Sequence, residues 1–335
     1  MAQPQPDSGF VDSVEALDEK THFVRADDGQ ELALTEIRRA GKRVRKSGPA
    51  FLLLHGFAQN RLAYTLGPMP GQLLDRGARV FVGELRGHGD SKVRRGKRWT
   101  MDDHLDRDCP ALIRGVRDQA QSERIHLVGH SMGGLLGCAL LGRGAQFASF
   151  TAAATPILLG ANRPLVRLAS FFVGPFATIA PKPNRVPMDA FLRALARPLA
   201  AAEARGPIWA LQKLTRLANP DAADPKAVRR ILANADRESP AVFEELAKNA
   251  VLVRPNICGI DLVDAVRHAE CPIAGIVGSQ DIFAPRAAIA PLEAEDQRGP
   301  REIVELDGVS HIDSIMGHHV PETVDGLWDF WLQDG

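Results

Sequence analysis

Residues 125–134 read IHLVGHSMGG, an apolar run that ends on a serine between glycines. The pattern Gly-x-Ser-x-Gly is typical of a sharp strand-to-helix turn that lifts one hydroxyl out of the carboxyl end of a parallel sheet. We expect Ser131 to adopt a strained conformation with positive φ at the N-terminus of the following helix. At Gly129 and Gly133 we expect the neighbouring chain to pass so close that only hydrogen fits as the side chain. The pattern therefore predicts a strand, an exposed serine and a helix, in that order.

Short apolar runs of the same kind recur along the chain and alternate with helical patterns. The runs are Ala50–Leu54, Val80–Val82, Ile125–Val128, Phe147–Ala153, Pro272–Val277 and Glu302–Leu306, and the amphipathic segments between them include Met101–Gln119 and Leu135–Leu141. Before them, the β-prone runs His22–Arg25 and Glu31–Ile37 flank the turn signal at residues 27–29, which predicts an antiparallel hairpin. Apolar strands separated by helices predict an α/β fold with a mostly parallel, doubly wound sheet that is covered on both faces.

One region breaks the alternation. Between about Pro156 and Arg267 the sequence has no strand signal, and its helical stretches are Met188–Ala202, Ile208–Leu217, Lys226–Asp236 and Ala241–Ala250. A single crossover needs far fewer residues, so we predict a helical cap at 156–267, inserted between the core segments 1–155 and 268–335. Such an insertion would stand over the carboxyl ends of the strands, where ligands bind in open sheets. The apolar segment Leu165–Ala180 would pack against other helices, line the substrate pocket or contact lipid.

Length and charge bound the class of protein. The chain has 335 residues, enough for one large α/β domain or two small ones. Lys+Arg and Asp+Glu are balanced at 41 each, which argues against a nucleic-acid binder driven by bulk charge. The N-terminus is polar, and no apolar run approaches the roughly 18 to 20 residues that cross a bilayer. We expect a cytoplasmic protein without membrane contact, and a homo-oligomer is compatible with the sequence.

The cysteines give no sign of a metal site or a redox motif. The chain has four, Cys109, Cys138, Cys258 and Cys271, and none of them are spaced as C-x-x-C. We expect buried thiols rather than metal ligands or disulfides.

Three residues follow strand patterns and have the side chains of nucleophilic catalysis. Ser131 is a weak nucleophile until a base removes its proton, and histidine is the usual base because it titrates near neutral pH. His311 is our candidate base, since it lies in the loop after the last strand pattern. Asp281 follows the strand pattern Pro272–Val277 through a short loop, and we expect its carboxylate to fix the imidazole tautomer. The chain order Ser, Asp, His is the one expected for this strand topology.

Alternatives remain open for the base and for the carboxylate. They are the histidines His318 and His319 and the carboxylates Asp307, Asp261 and Asp264. The two histidines follow closely on His311 but should fall on the next helix. Asp307 ends the last strand pattern, whereas the other two carboxylates precede the strand that leads to Asp281.

The chemistry also needs two backbone N–H groups that point at the oxygen that becomes negative. One is expected from Met132, at a helix N-terminus whose partial positive charge helps. The other is expected from the loop after an early strand, where residues 52–57 read LLLHGF. We assign it to Phe57, with Ala58 as the alternative. No dinucleotide-binding glycine loop or metal-ligand cluster is present in the sequence, so we expect neither a cofactor nor a metal ion.

Five motifs stand in a fixed order along the chain: His55-Gly56-Phe57, RGHGDS at 86–91, GHSMG at 129–133, GSQD at 278–281 and Ser310-His311. With them the chain resembles the α/β-hydrolase superfamily from about His22 onward. The resemblance implies that RGHGDS shapes the turn after the fourth strand, where Glu84 stands in place of a frequent aspartate. The tail HIDSIMG at 311–317 is similar to acid lipases and polyester synthases. Members with an aspartate or a cysteine nucleophile, such as haloalkane dehalogenases or polyester synthases, are disfavoured because position 131 is serine.

The motifs together predict a serine hydrolase of the esterase or lipase type. It would cleave small carboxylic esters of apolar acyl or aryl groups through an acyl-enzyme, because the insertion is apolar. The same three residues would also serve an acyltransferase, a thioesterase, a lactonase or a C–C hydrolase. A catalytically silent binding module is the alternative of another class, and the retention of all three residues speaks against it.

Overall fold

The computed structural model describes residues 16–42, 47–94, 97–158, 217–251 and 256–333. The strands are β1 Leu17–Arg25, β2 Glu31–Arg39, β3 Ala50–Leu54, β4 Arg79–Gly83, β5 Ile125–His130, β6 Ser149–Ala153, β7 Asn256–Ile257, β8 Ile260–Asp261, β9 Ile273–Gly278 and β10 Arg301–Leu306. The helices are α1 Leu62–Thr65, α2 Met69–Asp75, α3 Met101–Asp103, α4 Cys109–Ala120, α5 Met132–Gly142, α6 Pro225–Ala233, α7 Pro240–Val251, α8 Leu262–His268, α9 Asp313–Met316 and α10 Val320–Trp331. A π-helical turn, His104–Asp108, joins α3 to α4, and a 3-10 helix, Arg286–Glu293, follows β9.

Eight of the described strands form one sheet in the order β1-β2-β4-β3-β5-β6-β9-β10. β1 is antiparallel to β2, and β2 is antiparallel to β4. All the other neighbouring pairs are parallel. The predicted α/β fold with a mostly parallel sheet is therefore confirmed.

The central strands are apolar throughout because helices cover both faces of the sheet. Successive side chains of a strand point to opposite faces, and β3 is an example. Leu52 and Leu54 pack in the core on the side of α4 and α5. Phe51 and Leu53 pack in the core on the side of α2 and α10. Because β3 is buried on both faces, its apolar run predicted the strand with the ends that the structure has.

The predicted hairpin is formed by β1 and β2. Its turn closes with hydrogen bonds from the N–H of Ala26 to the carbonyl of Gln30 and from the N–H of Gly29 to the carbonyl of Ala26, both 2.9 Å long. Gly29 has φ +82°, a value that glycine adopts without strain. Both strands are longer than predicted, since the register continues out to Leu17 and Arg39.

The helix predicted at Met101–Gln119 is present, but the π-helical turn divides it. Thr100 begins it with a capping box: its side chain accepts from the N–H of Asp103, whose carboxylate accepts from the N–H of Thr100. α5 begins at Met132, directly after Ser131 as expected, and the amphipathic segment Leu135–Leu141 is its later part. The expectation that His318 and His319 lie on a helix was wrong, because α10 begins after them and His319 is its N-cap.

Part of the predicted insertion lies within the described residues. α6 and α7 correspond to two of the predicted helical stretches. The stretches at 165–180 and 188–202, and all but Leu217 of the stretch at 208–217, lie outside the described residues. A small hairpin of β7 and β8 occurs where no strand was predicted. It was missed because each strand has only two residues, joined by Cys258 and Gly259 with φ of 51° and 77°.

The four cysteines are free thiols. Cys109 and Cys138 are buried, as predicted, whereas Cys258 and Cys271 are partly exposed, so the prediction of burial was wrong for these two. Among the described helices, none combines the length and the apolar character that crossing a membrane requires.

Candidate active site

Ser131 occupies a strained turn between β5 and α5. Its φ is 53° and its ψ is −114°, a backbone conformation that residues other than glycine rarely adopt. Its N–H donates to the carbonyl of Ala153 on the neighbouring strand at 2.9 Å. A Cβ at Gly129 would lie 2.5 Å from the carbonyl oxygen of Gly133, and a Cβ at Gly133 would lie 2.4 Å from that of Leu54. Two expectations are confirmed: Ser131 has a positive φ, and no side chain larger than hydrogen fits at Gly129 or Gly133.

The three predicted side chains meet at the carboxyl edge of the sheet. His311 Nε2 lies 2.9 Å from Ser131 Oγ, and His311 Nδ1 lies 2.8 Å from Asp281 Oδ2. A carboxylate only accepts hydrogen bonds, so Nδ1 carries the proton that it donates. In the neutral imidazole Nε2 is then the acceptor for the hydroxyl of Ser131. The arrangement has the geometry of a nucleophile, a base and a group that orients the base.

Asp281 is held in place by the backbone as well as by the imidazole. Its Oδ1 accepts from the N–H of Phe283 at 2.8 Å and from that of Ala284 at 2.9 Å. Burial by itself raises the pKa of the Asp281 carboxyl, but the charge and hydrogen bond of His311 and the two N–H groups outweigh it and lower the pKa below its usual range. The carboxylate of Asp281 therefore stays ionised.

The alternative residues have other contacts. Asp307 is exposed and accepts from the hydroxyl of Ser279 at 2.9 Å. Asp261 caps α8, where its Oδ1 accepts from the N–H groups of Val263 and Asp264. Burial lowers the pKa of His319 to about 4. The hydrogen bonds of His311 favour Asp281 over these carboxylates.

The loop after β3 lies beside the serine. A Cβ at Gly56 would lie 3.1 Å from Ser131 Cβ and 2.9 Å from His130 Nδ1. The carbonyl of Gly56 accepts from the N–H of Gln59 at 3.2 Å, which closes the turn, and Ala58 within it has φ 56°. In the described part of the chain the N–H groups of residues 57, 58 and 132 have no protein acceptor. No described protein group therefore competes for these N–H groups.

Two residues around the triad were not identified from the sequence. His130 is fully buried, with Nδ1 3.0 Å from Gln59 Oε1 and Nε2 3.1 Å from the carbonyl oxygen of His311. Burial and the nearby His311 lower the pKa of His130 to about 3, so the ring is neutral. The position of His130 next to the serine was the one signal that could have identified it. Gln59 has no such signal, because its contact with His130 spans 71 residues.

Glu84 accepts the hydrogen bonds of backbone N–H groups in and near the turn after β4. Its side chain is fully buried, and its carboxylate accepts from the N–H of Arg61 at 3.0 Å and from that of Asp90 at 3.1 Å. Gly89, with φ +50°, leaves room for the longer side chain, since a Cβ there would lie 1.7 Å from Glu84 Oε1. The turn after β4 therefore keeps its hydrogen bonds.

Aromatic side chains lie beside His311 and in the loop after β3. The ring of Phe283 lies 5.2 Å from that of His311. The ring of Phe57 lies 6.0 Å from that of Phe243 on α7. All three phenylalanines are partly exposed. One aromatic ring thus lies beside His311 after β9, and the loop after β3 contacts α7 through two more.

Comparison with known proteins agrees with this architecture. The family model described as alpha/beta hydrolase fold matches residues 49–227, more than half of the chain. The solved structure of an esterase from Exiguobacterium antarcticum is similar with a TM-score of 0.60 and 15% identity, over 94% of this chain and 100% of that one. A bromoperoxidase from Bacillus anthracis is similar to the same degree, again with a TM-score of 0.60, 15% identity and coverage of 94% and 100%.

A curated relative is similar over a shorter stretch. A fluoroacetate dehalogenase from a Burkholderia species is 37% identical over 94 residues, which are 27% of this chain and 29% of that protein. At 15% identity the two solved structures show the fold alone. The strand order, the turn at Ser131 and the family match over residues 49–227 lead to one conclusion: the chain belongs to the α/β-hydrolase family.

Proposed function

We propose that this protein is a serine hydrolase that cleaves carboxylic esters through an acyl-enzyme. Ser131 is the nucleophile, His311 is the base and Asp281 orients the imidazole. The observation that carries the proposal is the continuous hydrogen-bonded chain from Ser131 Oγ through both ring nitrogens of His311 to Asp281 Oδ2. An acyl-transfer reaction needs this order of groups.

In the first half of the reaction Ser131 Oγ attacks the ester carbonyl while its proton passes to His311 Nε2. The N–H groups of Phe57 and Met132 hold the oxygen that becomes negative, and loss of one such donor typically costs roughly 3 kcal/mol of transition-state stabilisation. His311 then gives the proton to the departing alcohol, and the acyl group stays on the serine. In the second half His311 Nε2 takes a proton from water while the water oxygen attacks the acyl carbonyl. The bond from the acyl carbon to Ser131 Oγ then breaks, His311 returns the proton to Oγ, and the acid is released.

We further propose that the acyl or aryl part of the substrate is apolar. The partly exposed ring of Phe283 beside His311 supports this, as do those of Phe57 in the loop after β3 and Phe243 on α7. Residues 156–267 are proposed as a helical insertion over this edge of the sheet. Its described helix α7 contributes Phe243, which contacts the ring of Phe57.

Covalent labelling tests the mechanism directly. A fluorophosphonate should label the wild-type protein at Ser131, and Ser131→Ala should abolish both the label and the hydrolysis of p-nitrophenyl esters. His311→Ala should lose nearly all turnover while it keeps the melting profile of the wild type. If Ser131→Ala keeps more than about a hundredth of the activity, the assignment of the nucleophile is wrong, because loss of a triad member normally costs far more. A panel of ester chain lengths then defines the acyl preference.

The curated relative suggests a competing reaction, which the same preparation can test. A dehalogenase that relies on an aspartate nucleophile would not work with serine at position 131. We therefore expect no release of fluoride from fluoroacetate, measured with a fluoride electrode beside ester hydrolysis. Fluoride release faster than ester hydrolysis would overturn the proposal. Acyl transfer is tested by adding alcohols to the ester assay and quantifying the new ester.

A further inference from the structure

A short segment, residues 217–223, lies across the loop that bears His311; we call this segment the strap. The N–H of Ile312 donates to the carbonyl of Leu217 at 2.9 Å, and the side-chain amide of Asn219 donates to the carbonyl of Gly308 at 2.6 Å. At its other end the strap accepts, through the carbonyl of Ala222, from the N–H of His318 at 2.8 Å. The strap is therefore bonded to the loop both before and after the imidazole.

Asp313 lies at the centre of this contact. Its Oδ2 accepts from the N–H of Asn219 on the strap at 2.7 Å and from the N–H of Ser310 in the loop at 3.0 Å. The residue is fully buried, and its Oδ1 has no hydrogen-bond partner in the described part of the chain. Burial raises the pKa of Asp313 to about 6. Burying a carboxyl group costs free energy. Here its hydrogen bonds join the backbone of Asn219 on the strap to the backbone of Ser310 in the loop.

The carbonyl of His311 is also fixed. It accepts from the hydroxyl of Ser314 at 2.8 Å, one residue beyond Asp313. The backbone is thus fixed immediately before the imidazole by Asp313 and at the imidazole residue itself by Ser314. The described hydrogen bonds of Asp313 and Ser314 do not involve the side chains of the triad. The charge of Asp313 also acts on His311 and Asp281, so a variant that keeps the hydrogen bonds without the charge is needed to show an effect through the position of the imidazole.

We propose that Asp313 is a positioning residue, which fastens the His311 loop to the strap so that His311 Nε2 stays within reach of Ser131 Oγ. This inference rests on the proposed function. The physical reason is the steep dependence of rate on alignment: a misplacement of about 1 Å can cost on the order of a hundredfold in rate. A loop residue lacks the rigidity of a strand, and the 2.9 Å contact with Ser131 needs support from outside the triad.

The geometry of the carboxylate provides a matched pair of variants. Both donors reach the same oxygen, Oδ2, while Oδ1 is unpartnered. Asp313→Asn can therefore keep both hydrogen bonds with its amide oxygen, and its NH2 group takes the place of Oδ1. Asp313→Ala removes both hydrogen bonds. Asp307→Asn is the control, since Asp307 is an exposed carboxylate four residues before His311 whose described hydrogen bond comes from Ser279.

The experiment measures kcat, KM and the rate of fluorophosphonate labelling for the wild type and the three variants, with thermal melts to verify folding. We expect Asp313→Ala to lose about 30- to 100-fold in kcat and in labelling rate, with KM changed less than about threefold. Asp313→Asn and Asp307→Asn should stay within about threefold of the wild type. Activity retained in Asp313→Asn would show that the hydrogen bonds to the backbone matter and that the negative charge is not required.

Two results would overturn the inference. One is a folded Asp313→Ala with the kcat and labelling rate of the wild type. The other is an Asp313→Asn as impaired as the alanine variant. If Asp313→Ala does not fold, Ser314→Ala replaces it: we expect a several-fold loss of kcat at constant KM, and an unchanged kcat refutes the positioning of the loop. A wild type that no fluorophosphonate labels would instead refute the proposed function, and this inference with it.

Discussion

Glu238→Gln removes one charge from a buried ion pair that joins the segment before α7 to the turn after β4. Glu238 Oε2 lies 3.1 Å from His88 Nε2, and both side chains are fully buried. The other oxygen, Oε1, accepts from Trp99 Nε1 at 3.1 Å and from the N–H of Ser239 at 2.8 Å. A glutamine can keep these two hydrogen bonds through its own oxygen. The substitution therefore isolates the charge from the packing.

The magnitude follows from the proton on His88. Burial lowers the pKa of His88, but the charge and hydrogen bond of Glu238 outweigh it and raise the pKa from 6.5 to about 9. The same interaction lowers the pKa of Glu238 from 4.5 to about 2, against the effect of burial. Because both shifts come from one ion pair, only one of them enters the free energy. At 1.36 kcal/mol per pKa unit, the free energy of unfolding should fall by roughly 3 kcal/mol. For a chain of 335 residues this corresponds to a melting temperature lower by about 4 °C.

The loss should depend on pH with a definite sign. A histidine whose pKa is raised on folding contributes stability below its unfolded pKa of 6.5, and the contribution is lost as pH rises through about 9. A glutamate whose pKa is lowered contributes above 4.5 and loses the contribution as pH falls toward 2. The difference between the wild type and Glu238→Gln should therefore be largest between those two unfolded values and nearly vanish above the folded pKa of His88.

Urea denaturation at pH 6 and at pH 9.5, followed by circular dichroism, measures this difference. Glu244→Gln is the matched control, because Glu244 is on α7 and forms a partly exposed pair with Lys248 at 3.1 Å. Such a pair contributes less than about 1 kcal/mol. An equal loss of stability at both pH values, or none at pH 6, would refute the reasoning from the buried charge.

Two further predictions concern the proposed triad and its turn. Asp281→Asn should lower kcat for a short p-nitrophenyl ester by about 10⁴-fold, because the carboxylate no longer holds the His311 imidazole in the tautomer with the proton on Nδ1. The melting temperature should stay near that of the wild type. Gly133→Ala should destabilise the protein by about 3 kcal/mol or more in a thermal melt, since its Cβ would lie 2.4 Å from the carbonyl oxygen of Leu54. Gly326→Ala on α10 is its control and should gain about 0.5 to 1 kcal/mol, because its Cβ meets nothing within 4 Å.

Local patterns in the sequence carried most of the fold. β3 was predicted with its observed ends, because a strand buried on both faces is apolar at every position. The glycines around Ser131 marked the turn, because no larger side chain fits there. The meeting of Ser131, Asp281 and His311 was also predictable, since the carboxyl ends of parallel strands share one edge of the sheet.

Where periodicity is weak, the predictions were incomplete. The hairpin of β7 and β8 was missed because two residues are too few for an alternating pattern. The helix expected over His318 and His319 begins after them, because only the tertiary contacts of the loop decide where α9 ends and α10 begins. Helix existence was thus more predictable than helix ends.

The sequence by itself determined the succession of the eight main-sheet strands along the chain, the strained serine and the chemical identity of the three candidate residues, since each depends on neighbours along the chain. Only the tertiary structure decided which distant groups support them. Glu238 meets His88 across 150 residues, and Asp313 meets Asn219 across 94. Such contacts arise when separately formed segments dock, and a buried polar group finds its partner by position in space, which no local pattern encodes.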